Sequence, residues 1–128
     1  MACGYTEKNA YDVTRLILKQ KEKPTAFLAQ DDNMALGVRE AAFESGFRIP
    51  EDIALVGFNN ISLSSLTGIE LTTVDQDQHA MGMTAAEMLI HKLQQSDRPG
   101  ISNAVVMETK LVIRKSCGYY LRRKVQAG

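Results

Sequence analysis

Cysteine is scarce in this chain: Cys3 and Cys117 are the only two among 128 residues. That is too few for a disulfide scaffold, and their spacing is not that of a metal site, so both read as reduced thiols. Net charge is also missing, because fifteen Lys and Arg balance fifteen Asp and Glu. Proteins that rely on phosphate contacts normally carry a basic excess, so nucleic-acid binding by these residues is not expected. No apolar run approaches the ~18 residues of a membrane span. Met1-Ala2-Cys3-Gly4 lacks the apolar stretch of a secretory signal, and a cytoplasmic location is expected. Repeats and low-complexity stretches are absent too. What is present is a balanced composition, 45% apolar and 23% charged. It fits one soluble globular domain, with residues 1–128 forming a single unit.

Hydrophobic periodicity predicts a helix over residues 6–22, with Thr6 as N-cap and Ala10, Val13, Leu16 and Ile17 facing inward. Pro24 closes that segment. Residues 25–30 form a short apolar run, the pattern of a strand buried on both faces. A second helix is expected from Asn33 to Ser45, with Ala35, Val38, Ala41 and Ala42 inward and Gly46 as its C-terminal stop. Residues 53–57 then read as another buried strand. Strand, helix and strand with short connections make a βαβ unit, which requires a parallel sheet and an α/β fold. In the second half, residues 71–74 predict a strand and Asp77 to Gln95 a long helix. Its inner stripe is Met81, Ala85, Met88, Leu89 and Leu93. Residues 96–100 read as a turn, and 105–107 and 111–113 as two more strands. The basic residues from Arg114 onward, including Arg122, Arg123 and Lys124, read as a solvated tail.

Signatures of catalysis are sparse. Ser62, Ser64 and Ser65 sit in no G-x-S-x-G elbow, and Gly57-Phe58-Asn59 is not a dinucleotide fingerprint. Asp75, Asp77 and His79 alternate, as three ligands on one face of an extended segment would. The same two aspartates also suit the positive end of the following helix. Neither an enzyme, nor a cofactor, nor a metal is expected. The polar residues at strand ends say more. Asp31 follows the first strand, Asn59 the second and Gln76 the third, which puts all three at the carboxyl edge where open α/β sheets bind ligands. A carboxylate and two amides suit a hydroxyl-rich ligand. Asp32 is a further candidate ligand residue, and the alternative for Asp31 or Asp32 is N-cap of the helix that follows.

These residues resemble a known family. Pro24 to Gly37, reading PTAFLAQDDNMALG, is similar to the "PTA-apolar-x-A-N-D-x-M-A-x-G" segment of the lactose-repressor (LacI/GalR) family. Ile49 to Asn60, IPEDIALVGFNN, resembles its "V-P-x-D-I-x-V-V-G-F-D-D". Leu71 to Gln76 resembles "L-T-T-V-x-Q", and Leu111 to Ser116 the closing "L-x-V-R-x-S"; Tyr5-Thr6-Glu7 is also similar to the family at the start of the first helix. The resemblance runs from about residue 4 to 118. It implies the carboxyl-terminal part of a two-lobed, periplasmic-binding-protein-like effector domain, with a Rossmann-like parallel βαβ lobe. Residues 5–76 and 109–116 would belong to the C-terminal lobe, 77–108 to the other, and 117–128 to a basic tail. The family pattern carries effector contacts onto Asp31, Asn59 and Gln76, with Asn and Asp interchanged between positions 31 and 59 relative to that pattern. Dimer contacts fall on Met34 and Leu36 and on the loop at Leu63 and Leu66. The implied function is sensing of a small molecule such as a sugar by a DNA-binding regulator that forms a homodimer or larger homo-oligomer. DNA would be contacted only through a helix-turn-helix that these residues do not contain. The alternative implied by the same fold is a periplasmic-type sugar-binding protein of a transport system.

Overall fold

The computed structural model describes residues 4–94 and 104–121. Helix α1 (Glu7–Leu18) starts where the Thr6 hydroxyl accepts the Asn9 N–H, as the sequence suggests. Its buried stripe is Ala10, Thr14 and Leu18, spaced by four. Leu16, expected inside, faces solvent, because the face that meets the core is centred two positions away. Strand β1 (Ala26–Leu28) leads into α2 (Asp32–Glu44), whose Ala35, Val38, Ala41 and Ala42 are buried as expected. At the end of α2, Gly46 adopts φ +81, and the N–H groups of Gly46 and Phe47 close on the carbonyls of Phe43 and Ala42. That left-handed stop is cheap only for glycine, and it turns the chain so that Phe47 packs on Leu18, Ala42 and Ile53.

Strands β2 (Ala54–Phe58) and β3 (Thr72–Asp75) follow, and β4 (Lys110–Val112) completes a sheet of order β1-β2-β3-β4. The first three strands are parallel; β4 runs antiparallel to β3. One face, bearing Phe27 and Leu55, packs on α1 and α2 through Ala10, Ala35 and Val38. On the other face Thr72 is buried, while Leu28 and Leu111 are exposed. Leu28 is 78% exposed, so β1 is not buried on both faces: it lies at the sheet's edge, and α1 and α2 cover one side only. Ser116 ties the end of the chain back to the sheet. Its hydroxyl donates to the Leu55 carbonyl at 2.6 Å and accepts the Thr72 N–H at 2.8 Å.

The second half corrects several expectations. Helix α3 (Gln78–Gln94) forms, but among the described residues none of its side chains is buried, and Leu93 is 68% exposed. The stripe is there, and most of it is exposed: Met81 at 42% and Leu89 at 60%. Residues 105–107, expected as a strand, have no strand pairing. Arg114 and Lys115 are not tail. The Arg114 guanidinium is half-buried and donates into the sheet, and Lys115 pairs with Glu70 at 2.8 Å. The expected turn at 96–100 and Arg122, Arg123 and Lys124 lie outside the described residues.

Asp32 organises the centre of the fold. Its side chain is fully buried, and Oδ2 accepts the Ile61 N–H at 2.9 Å and the Ser64 hydroxyl at 2.6 Å. Oδ1 accepts the Thr73 hydroxyl at 2.6 Å. The reading of Asp32 as a ligand residue is therefore corrected. The first turn of α2 aims it inward, where three donors, two from the stretch after β2 and one from β3, satisfy it away from solvent. Gly57 makes room, since a Cβ there would lie 2.2 Å from Asp32 Oδ1.

This packing sets the cost of two substitutions. Asp32→Ala strands three donors, and at the usual cost of an unsatisfied buried group it should lower unfolding free energy by about 3 kcal/mol or more in urea titration. Gly57→Ala should destabilise by the same route, by driving Oδ1 from its donors. Separately, Asp52 accepts from the Arg48 side chain and backbone, and these bonds lower its pKa from 3.8 to about 2. A depressed carboxyl stabilises above its unfolded pKa and loses that contribution as pH falls through the folded value. Between about pH 4 and pH 2 the native protein should thus lose more stability than Asp52→Asn, measured by thermal melts across that range.

Candidate functional site

Because β1, β2 and β3 are parallel, the residues that follow them leave the sheet at one edge. Asp31 follows β1, Asn59 and Asn60 follow β2, and Gln76 follows β3. The structure brings two of the predicted residues into direct contact: Gln76 Nε2 donates to Asn59 Oδ1 at 2.7 Å. Asp31 stands at the same edge, on the adjacent strand, and is half-buried. Its Oδ1 caps α2 by accepting the Met34 N–H at 2.7 Å, which leaves Oδ2 free of that cap. Asp31, not Asp32, is the N-cap. Asp32 sits one residue further on, beneath the edge in the core.

Asn59 and Asn60 both have positive φ, +99 and +49. Two successive left-handed residues reverse the chain immediately after β2, and asparagine tolerates that region better than most side chains. The Asn59 N–H donates to the Val74 carbonyl at 2.8 Å, so the turn begins while β2 is still paired with β3. Asn60 Nδ2 donates to Asp75 Oδ2 at 3.0 Å, and Asp75 Oδ1 accepts the Asp77 N–H at 2.8 Å. The Asp77 N–H first, then the Asn60 amide, hold the Asp75 carboxyl below the usual carboxylate range. Asp77 in turn caps α3, its Oδ1 accepting the Ala80 N–H at 3.0 Å. Of the alternating Asp75, Asp77 and His79, the two aspartates are thus occupied by turn and cap, and no grouping suited to a metal ion occurs among the described residues.

Sequence reasoning missed Asn60, Asp75 and Arg114 as members of this edge. The consecutive Asn59-Asn60 pair after a strand was the available signal for a left-handed turn. Arg114 lies 54 positions from Asn60, and nothing local connects them. Met34 and Leu36 are half-buried on α2, and Leu63 and Leu66 in and after the Ser62–Ser65 turn are 43% and 50% exposed. A cavity of about 490 Å³ opens at the other end of the sheet, between Pro50, Glu70, Ile113 and Tyr120, and none of the predicted ligand residues lines it.

Among known proteins, a family model described as a periplasmic binding protein-like domain matches residues 2–117. The chain is 32% identical to the HTH-type transcriptional repressor MelR of Bacillus subtilis, over 89% of this chain and 32% of that repressor. It is 36% identical to the HTH-type transcriptional repressor PurR of Pasteurella multocida, over 88% of this chain and 34% of the relative. Among solved structures, a LacI family transcriptional regulator from an Arthrobacter species in complex with lactose superposes with a TM-score of 0.79. The two are 31% identical, over 90% of this chain and 42% of that one. The chain spans about a third of the length of the curated relatives it matches. With a four-stranded, mostly parallel α/β sheet and a family match across nearly its whole length, the chain belongs to the periplasmic-binding-protein-like domain family, and the relatives it resembles are HTH-type repressors and LacI-family regulators.

Proposed function

We propose that these residues form the effector-sensing and dimerisation part of a LacI-type transcription regulator. They bind a small hydroxyl-rich molecule such as a sugar at the carboxyl edge of the sheet, without catalysis and inside the cell. The observation that carries this reading is the Asn59–Gln76 amide pair at 2.7 Å, on an edge shared with Asp31. Paired amides offer both donors and acceptors to hydroxyl groups, and the carboxylate adds a strong acceptor. The lactose in the Arthrobacter relative supports a sugar as the ligand class. DNA is read by a segment of the regulator outside this chain. Binding at the edge acts on DNA through linkage: a ligand that bridges two lobes favours one lobe arrangement over another.

In this reading residues 5–76 and 109–116 make one lobe, and 77–108 supply elements of a second. Support comes from α3, whose Met81, Leu89, Ile90 and Leu93 are all exposed. Leaving such side chains in water forgoes roughly 1.5–3 kcal/mol each, a strong incentive for a covering surface. Met34, Leu36, Leu63 and Leu66 form the homodimer contact.

Titration of the chain with lactose and a panel of mono- and disaccharides, followed by amide NMR shifts, tests the ligand reading. At least one sugar should move the signals of Asp31, Asn59, Asn60 and Gln76, and Asn59→Ala should weaken that sugar about tenfold. A panel that leaves this edge silent refutes it. Sedimentation at micromolar concentration tests the assembly. The chain should run as a dimer or larger species, and Leu63→Asp with Leu66→Asp should shift it toward monomer; an unchanged profile removes that surface from the contact.

A further inference from the structure

The Arg114 side chain joins segments far apart in sequence. Its NH1 donates to the Leu71 carbonyl at 2.7 Å, just before β3, and its NH2 donates to Asn60 Oδ1 at 2.8 Å, just after β2. The backbone of Arg114 is fixed as well. Its N–H donates to Thr72 Oγ1 at 2.9 Å, and the Thr72 hydroxyl donates to its carbonyl at 3.1 Å. Asn60 is therefore held at both ends of its amide: Oδ1 accepts from Arg114, while Nδ2 donates to Asp75. Only a side chain carrying an acceptor and a donor on one short stem can do both. Beside it, Asn59 and Asn60 sit at positive φ, a conformation that persists when its surroundings over-determine it. Asp75 passes the constraint on, because its other oxygen holds the N–H of Asp77, itself at φ +48 and the cap of α3.

We propose that Arg114 is a positioning residue for the ligand edge, acting through Asn60 and Asp75. By clamping Asn60, it holds the left-handed turn that aims Asn59 at Gln76. Through Asp75, the same clamp sets the direction in which the chain leaves the sheet for α3. One relay therefore links the amide pair to the segment that departs toward α3. Its functional meaning rests on the sensing role proposed above, but the relay is testable without any ligand.

The test is NMR on the full chain with no sugar present. It reads side-chain amide exchange at Gln76 and backbone shifts at Asn59, Asn60 and Asp77. The Ile61 N–H, held by Asp32, serves as an internal control. Arg114→Met should speed Gln76 amide exchange about fivefold, the loss expected for one hydrogen bond, and move the three backbone signals. The Ile61 control should stay unchanged. Asn60→Asp should do the same by setting two carboxylates against each other. Asn60→Asp combined with Asp75→Asn restores every bond with the roles exchanged. The carboxylate then at position 60 accepts from Arg114 with one oxygen and from the amide then at position 75 with the other. The oxygen of that amide still accepts the Asp77 N–H. This double variant should recover the native signals. The proposal is overturned if the signals at 59, 60, 76 and 77 stay native in Arg114→Met or Asn60→Asp. It is equally overturned if the Ile61 control moves with them, or if the double variant behaves like Asn60→Asp alone. If Arg114→Met does not fold, the Asn60 and Asp75 variants decide by themselves. A silent sugar titration with an intact relay would count against the sensing role alone.

Discussion

A carboxylate removed from water has to be satisfied by the protein, and in this molecule much of the chain is arranged to satisfy Asp32. The group comes from the first turn of α2, and its donors come from the stretch after β2 and from β3. Those segments can reach it only if β2 approaches closely, which is why Gly57 has no side chain. An unpaired charge at this depth costs several kcal/mol, so the carboxylate and its donors fix the relative placement of helix, turn and strand as a set. The same cluster reaches the ligand edge. The Thr73 hydroxyl that donates to Asp32 also accepts the Asn60 N–H at 3.3 Å.

The edge is therefore built from the core outward. Parallel pairing carries three strand ends to one side, and a pair of left-handed asparagines turns the chain there. Asp31 and Asp32, adjacent in sequence, divide the labour. The first stays at the surface as a cap with an oxygen to spare, and the second is committed to the interior. A helix turns about 100° per residue, so neighbouring carboxylates at its start face different environments.

Helices α1 and α2 cover one face of the sheet, and among the described residues α3 has no buried side chain. Both helices pack on the side that carries Phe27 and Leu55. Leu28 and Leu111 are left on the other side, and α3 departs from the carboxyl edge after a two-residue link from β3.

Much of this was legible in the sequence. The helix caps at Thr6 and Gly46, the buried stripe of α2 and the parallel pairing of a βαβ unit follow from local rules of spacing and turn chemistry. The placement of Asp31, Asn59 and Gln76 at one edge follows from the same rules, because parallel strands must all end on the same side. Tertiary structure alone decided that Asp32 is buried, that Leu28 on β1 is exposed, and that among the described residues no side chain of α3 is buried. It alone brought Arg114 to Asn60. Periodicity reports which residues of an element share a face, but not whether anything packs on that face. A hydrogen bond between residues 54 positions apart leaves no trace in local sequence, because it exists only once the strands between them have paired.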